Sequence, residues 1–284
     1  MTAPLEGLKV LELGHIVAGP TAGHILGDLG ADVIKVETVD GGDKARTMPG
    51  ASTAMFHFLN RNKRSIAINL KTEEGRDAFF ALARDADVII DNFAYGAIER
   101  LGIGYDVVSV QSPGVIWLSI KGFLPGPSED RPMLDELAQM AGGLAFMTGP
   151  EGTPMRAGAS VIDVGAAAYG VIGVLAALRP RQCAGGRGQH KTAGLHQASG
   201  YSVAQWMATA QYSGQPSRPM SAEQQDKRMG FSVYRLFPTS DGNKVFVGII
   251  SDAHWERFCR EFQLDELAAD PRFAHPEGRL GHQG

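Results

Sequence analysis

Apolar and polar positions along the chain fall into short blocks whose period changes repeatedly. Short aliphatic and β-branched runs at 8–13, 33–36, 88–90 and 115–120 are mostly apolar on both alternating faces, the pattern of strands buried on both faces. Between them, apolar positions recur at helical spacing over 21–29, 73–86 and 134–146. The second helix is expected to start at Thr72 as N-cap, with Glu73 and Glu74 in its first turn, where acids suit the positive end of the helix. Strand alternating with helix predicts a parallel, doubly wound α/β sheet.

Residues 161–178 are Gly, Ala and aliphatic, with Asp163 near the front and Tyr169 within; small side chains suit a helix packed closely on another backbone. Beyond it, 213–228 is polar and Pro-containing, as a linker would be. The run at 233–237, a Ser240-Asp241-Gly242-Asn243 turn and a second run at 244–249 predict a β-hairpin, followed by a helix over 254–262. The expected organisation is a large domain over 1–212, a linker over 213–228 and a partial small domain over 229–284.

Composition narrows the function. Lys and Arg number 27 against 31 Asp and Glu, a net charge of −4. Duplex nucleic-acid binders usually carry a basic stripe, so no nucleic-acid partner is expected. Glycine, 36 of 284 residues, is close to twice its usual share of about 7%. The N-terminus lacks the basic-then-apolar order of an export signal, and no stretch reaches about 18 uninterrupted apolar residues; no membrane partner and a cytoplasmic location are expected. Cys183 and Cys259 lie far apart and form no C-x-x-C pair, so neither a metal site nor a disulfide framework is expected.

Candidate chemistry is scattered. Gly14-His15-Ile16-Val17-Ala18-Gly19-Pro20 follows a strand and opens a helix. Its amides could receive a phosphate, or it is simply a turn that needs small residues to pack. It is not the G-x-G-x-x-G fingerprint, and Glu37 is too weak a signal for NAD. Lys44, Arg46, Arg61, Lys63 and Arg64 are expected in loops at ligand-binding edges, where they could meet a phosphorylated ligand or only solvent. Asp163 is the single charged residue from Ala157 to Leu178. Such an acid must be capped, paired or used, and the sequence alone favours an N-cap. No Ser-His-Asp or Cys-His order, G-x-S-x-G or H-x-x-x-H pair is evident, which weighs against a triad hydrolase and a zinc enzyme.

Read in order, several of these segments are similar to the class III CoA-transferase family, the group that includes formyl-CoA transferase, carnitine CoA-transferase and α-methylacyl-CoA racemase. The resemblance runs through Pro4-Leu5-Glu6-Gly7-Leu8-Lys9-Val10-Leu11-Glu12, Ala18-Gly19-Pro20, Leu29-Gly30-Ala31-Asp32-Val33-Ile34-Lys35-Val36-Glu37, Gly42-Asp43 with Arg46, and Asn62-Lys63-Arg64-Ser65. It continues through Leu70-Lys71-Thr72-Glu73-Glu74-Gly75, Asn92-Phe93, Leu101-Gly102, Ser119-Ile120-Lys121-Gly122-Phe123, Gly158 with Asp163, and Gly186-Arg187-Gly188-Gln189. The implied fold is a doubly wound, Rossmann-like parallel sheet with the beginning of a second, smaller α+β domain.

The resemblance implies that Asp163 is the nucleophile. Its carboxylate would attack a donor thioester to give a mixed anhydride, CoA thiolate would convert this to an aspartyl-CoA thioester, and an acceptor carboxylate would reverse the sequence. Positions matching the family's CoA contacts are Arg46, Lys71, Asn92, Phe93, Arg100 and Lys121, with the backbone at Ile16 and Val17. Coenzyme A and acyl-CoA are implied as substrates, with a small carboxylic acid as co-substrate and no tightly bound cofactor. Formyl-CoA transferase has a glutamine where Val17 stands, which disfavours that substrate. The racemase branch pairs its aspartate with a histidine in the segment aligned to Met133-Leu134-Asp135-Glu136, but no histidine occurs here between His57 and His190. Gly122-Phe123-Leu124-Pro125-Gly126-Pro127 leans towards the branch acting on short dicarboxylyl-CoA esters such as mesaconyl-CoA. The segment 179–185 looks one residue longer than in the family and carries Pro180, expected to break the helix. Against the family the chain is short, which predicts a truncated member, possible loss of activity, and doubt about the family's interlocked homodimer.

Overall fold

The computed structural model describes residues 3–50, 52–183, 185–219, 231 and 233–282. They form two compact units, residues 1–148 with 154–217, and residues 149–153 with 218–284. The first unit thus runs a few residues past the expected boundary and excludes a short turn at 149–153.

In the first unit, β1 (Lys9–Glu12), α1 (Ala18–Asp28), β2 (Asp32–Glu37), α2 (Ser52–Leu59), β3 (Lys63–Ala67), α3 (Glu73–Ala83) and β4 (Val88–Asp91) follow in order. Next come α4 (Ala97–Arg100), α5 (Tyr105–Gln111), β5 (Ile116–Lys121), α6 (Asp135–Ala141), α7 (Leu144–Thr148), α8 (Val161–Cys183), β6 (His190–Gly194), α9 (Leu195–Ser202) and α10 (Ala204–Ser213). The six strands make one sheet, in the order β3-β2-β1-β4-β5-β6, with every pairing parallel. Val10 stands opposite Val33 and Val88, and Trp117 opposite Ile89 and His190.

Strand alternation builds a core on each face. Val10, Val33, Ile90, Ile116, Leu118 and Ile120 pack with Ala22 and Leu26 of α1 and Ala166, Val171 and Val174 of α8. Leu11, Val36, Ile89 and Trp117 pack on the other face with Phe79 of α3, Ile98 of α4 and Val108 of α5. Both faces are covered by helices, which explains the mostly apolar runs. As expected, Thr72 caps α3, its hydroxyl accepting the Gly75 N–H at 3.1 Å.

Three expectations need correction. Lys63, Arg64 and Ser65 lie in β3, not in a loop; an edge strand pairs on one side and tolerates polar residues that hide its period. The helix expected over 134–146 is two, α6 and α7, broken at Gly142-Gly143. Gly143 has φ of 90°, and a Cβ on Gly142 would stand 2.2 Å from Ser199 Oγ on α9. Pro180 does not break α8, which continues to Cys183. It sits in the last turn and removes only the bond to the Ala176 carbonyl, while Arg181 anchors that end by hydrogen-bonding the Gly114 carbonyl (3.2 Å) and pairing with Asp87 (3.0 Å).

By length and composition α8 could cross a membrane, but here it packs against α1, β5, β6 and α9. It is the central helix of its face.

The second unit contains the expected antiparallel hairpin, β7 (Val233–Pro238) and β8 (Lys244–Ile249), then α11 (Asp252–Glu261), α12 (Asp265–Ala269) and α13 (Pro276–Gly281). Ile249, Trp255 and Cys259 form its small core. Of the expected linker, residues 220–228 lie outside the described residues.

Candidate active site

In a doubly wound sheet, ligands bind outside the carboxyl ends of the strands where the strand order reverses. Here that point lies between β1 and β4, neighbours whose chains run on in opposite directions across the sheet. The loops leaving these two strands are locked together. Asn92 Oδ1 accepts the His15 N–H at 2.9 Å, and Asn92 Nδ2 donates to the His15 carbonyl at 2.9 Å. The His15 ring meets Phe93 edge-on at 5.4 Å. Gly14 and Gly19 approach so closely that a Cβ on either would stand 2.6 Å from the other's Cα. Between them, Ile16 has φ of 68°, a left-handed conformation that a β-branched residue adopts only when its surroundings impose it.

Those surroundings are a buried cluster of charges. Lys35 Nζ bonds Glu12 Oε1 (3.1 Å), Asp43 Oδ2 (2.9 Å) and the Gly14 carbonyl (2.7 Å). Lys63 Nζ bonds Glu12 Oε2 (2.9 Å), the Pro20 carbonyl (2.8 Å) and Asn60 Oδ1 (3.0 Å). Asp43 Oδ1 then accepts the N–H of Ile16 at 3.1 Å and of Ala45 at 2.9 Å. Burial pushes the Asp43 carboxyl up, but the Lys35 charge and these N–H groups hold it below its usual value. Glu37 accepts the Asp43 N–H (2.8 Å), both arms of Arg46 (2.7 and 2.8 Å) and the Ser65 hydroxyl (2.5 Å). Burial opposes the shift here too, yet these donors bring Glu37 down to about 2.

Asp163 sits in the first turn of α8. Arg181 ties the far end of α8 to residues preceding β4 and β5, so the end that carries Asp163 lies at the carboxyl edge of the sheet. The N-cap reading is overturned, because the capping carboxylate is Asp135: its Oδ1 accepts the N–H of Ile162 (2.8 Å) and of Asp163 (3.0 Å). Burial, then the negative charges of Asp135 and Glu136, raise the Asp163 carboxyl to about 7.

The structure joins the backbone at Ile16 and Val17, Asn92, Phe93 and Lys121 into one cluster, since Lys121 pairs with Asp91 and donates to the Phe93 carbonyl at 2.9 Å. Arg46 is linked to this cluster through Glu37 and Asp43, but its guanidinium is occupied by Glu37. Lys71 and Arg100 stand apart, exposed and outside any ion pair among the described residues. Lys63, Arg64 and Arg61 are likewise held by Glu12, Asp32 and Asp28, so most of the basic residues flagged in the sequence are structural.

Asp43, Asp91 and Asp135 went unread as site residues, because an acid's partner in a distant loop leaves no spacing signal. The fold also brings Asp91, Ser119 and His190 together, with Ser119 Oγ 2.6 Å from Asp91 Oδ2 and 3.0 Å from His190 Nε2. The hydroxyl stands between acid and imidazole, so the carboxylate does not orient the histidine as a hydrolase triad requires. Among the described residues, no group of three or more His, Cys, Asp or Glu is placed to hold a metal ion.

Two predictions follow from the charges. Glu12→Gln leaves Lys35 and Lys63 buried with too little negative charge, and urea unfolding should show a loss of about 3–5 kcal/mol; an unchanged midpoint would contradict the network. Asp163 holds its proton more tightly folded than unfolded, where the carboxyl titrates near 3.8. Its contribution to stability therefore falls as pH rises from about 4 to about 7. Asp163→Asn should match the wild-type Tm at pH 4 and exceed it by several degrees at pH 8, since about 1 kcal/mol is worth roughly 2–4 °C in a unit of this size. Equal Tm values at pH 8 would refute the burial of this charge.

Comparison with known proteins places the chain in a family. The family described as CoA-transferase family III matches residues 5–284. The chain is 35% identical over 292 residues to succinate–glutarate CoA-transferase of Agrobacterium fabrum, covering 99% of this chain and 72% of that protein. It is 34% identical over 280 residues to succinyl-CoA:mesaconate CoA-transferase of Haloarcula marismortui, covering 94% of this chain and 69% of that protein. It is 34% identical over 297 residues to formyl-CoA:oxalate CoA-transferase of Streptomyces avermitilis, with 99% and 72% covered. A solved CAIB/BAIF family protein from Brucella suis superposes with a TM-score of 0.85 at 34% identity, covering 100% of this chain and 76% of that one. With a matching family model over nearly its whole length and relatives that are named CoA-transferases, the chain belongs to CoA-transferase family III.

Proposed function

We propose that this chain moves CoA between an acyl-CoA thioester and a carboxylic acid, with Asp163 as the covalent carrier. The observation that carries this reading is the state of Asp163: a half-buried carboxylate in the first turn of α8, accepting no hydrogen bond among the described residues and raised to about 7 by burial and the neighbouring acids. A carboxylate so placed is basic and poorly solvated, as a nucleophile should be.

In this reading one Asp163 oxygen attacks the donor's thioester carbonyl and expels CoA thiolate, leaving a mixed anhydride. The thiolate attacks the aspartyl carbonyl of that anhydride and releases the donor as its carboxylate, so that Asp163 carries the CoA thioester. The acceptor carboxylate attacks this thioester and expels CoA thiolate again. The thiolate then attacks the acceptor carbonyl, giving the new acyl-CoA and restoring the Asp163 carboxylate. No water is consumed, so the thioester's free energy passes from donor to acceptor.

The locked pair of loops at the switch point supplies the rigid wall this needs, with Phe93 beside the CoA chain. Lys71 and Arg100, outside any ion pair among the described residues, are better phosphate ligands than Arg46, which Glu37 holds. Short dicarboxylic acids are the favoured co-substrates, supported by the names of the succinate–glutarate and mesaconate relatives and by Val17 at the position of formyl-CoA transferase's glutamine. We further propose a homodimer, in which the exposed Leu137 of α6, Ile172 of α8 and Tyr212 of α10, with Leu134 just before α6, would be covered.

Succinyl-CoA mixed with glutarate, mesaconate or oxalate should yield the new thioester on chromatography, and Asp163→Ala should slow this by about 10³-fold or more. Equal rates in the variant would refute the carrier role. Sedimentation at micromolar concentration should give twice the chain mass, and a monomer at every concentration would contradict the dimer.

A further inference from the structure

The first turn of a helix offers N–H groups with no partner inside the helix, and an acid there ordinarily turns back to accept them. Asp163 is placed to do so and does not. Asp135, reaching over from α6, takes both the Ile162 and the Asp163 N–H on one oxygen, at 2.8 and 3.0 Å. Its other oxygen accepts from Gln139 Nε2 at 2.5 Å, one turn further along α6. Gln139 in turn accepts the Ala157 N–H at 2.7 Å and donates to the Ala159 carbonyl at 3.3 Å. Asp135 and Gln139 thus clasp the segment leading into α8, and they are 4% and 0% exposed, so water cannot substitute for either.

We propose that Asp135 is a positioning residue for Asp163: it occupies the amides at the start of α8, leaves the nucleophile's carboxylate bare, and sets against it a charge whose repulsion ends when Asp163 is acylated. The inference rests on the reading of Asp163 as the covalent carrier. Conversion of the Asp163 carboxylate to an anhydride or thioester removes its negative charge. The repulsion between the two acids therefore burdens the resting enzyme and not the covalent intermediate, which lowers the barrier between them.

Among the described residues, the charges acting on Asp163 are Asp135 and Glu136 of α6; His24 and Asp28 of α1, Lys121 of β5, His190 and Lys191 of β6, and His196 and Tyr201 of α9, on the other elements packed against α8, do not contribute. Glu136 is half-exposed and already paired with Arg156, so Asp135 dominates.

The test is the pH titration of the Asp163 carboxyl carbon by ¹³C NMR, assigned by its loss in Asp163→Asn, with the pH profile of kcat/KM for succinyl-CoA and glutarate alongside. Asp135→Asn keeps an oxygen for the two amides and removes the charge. Its titration midpoint and the acid limb of its profile should both move down by roughly one pH unit, while Glu136→Gln moves them less. A midpoint in Asp135→Asn equal to wild type overturns the proposal. So does a wild-type midpoint near 4, a measurement that needs no variant at Asp135. Transfer retained by Asp163→Ala would instead sink the carrier reading itself, whereas an inactive Asp163→Ala with an unmoved Asp135→Asn sinks only the role of Asp135.

Discussion

The candidate site depends on the buried ammonium of Lys35. An interior cation is tolerated only when its protons all find acceptors and its charge is balanced, and Lys35 meets that condition by drawing in the end of β1 and the loop after β2. Glu12, the Gly14 carbonyl and Asp43 converge on it. Asp43, fixed by that contact, then holds the Ile16 N–H and so sustains the left-handed residue on which the loop before α1 turns. The strain at Ile16 persists because a charge cluster beneath it over-determines its backbone.

The acids of this unit divide by what surrounds them. Asp43 and Glu37 lie among cations and N–H donors, which overcome burial and hold them ionised. Asp163 is half-buried beside other acids, with no cation acting on it among the described residues, and is shifted the opposite way, to about 7. Groups of one chemical type are thus sorted by environment alone into ionised struts and one acid raised well above its ordinary value. The small residues of α8 let the helix lie close on β5, where a Cβ on Gly170 would stand 2.9 Å from Leu118 Cδ1.

Much of the fold was legible in the sequence because it depends on period. Mostly apolar runs marked β1, β2, β4 and β5, and Thr72 marked the start of α3. What period could not show was β3, whose Lys63, Arg64 and Ser65 answer to acids on other elements, or the break at Gly142-Gly143, which Ser199 imposes from a helix more than fifty residues on. For the site, resemblance picked out Asp163 where the residues alone favoured a cap. The cap exists, but Asp135 supplies it from α6, and nothing in local spacing joins positions 135 and 163. The basic residues that could have met either a phosphate or only solvent are mostly partners of carboxylates, since charge can be counted in a sequence but pairing cannot.

The central claim is that Asp163 itself carries CoA. The most direct measurement is mass spectrometry of the purified chain quenched in acid after mixing with succinyl-CoA, followed by proteolysis and sequencing of the modified peptide. The account predicts a CoA adduct on the peptide spanning Asp163, discharged by adding a dicarboxylic acid. An adduct on another residue, or turnover with Asp163 never modified, would contradict it.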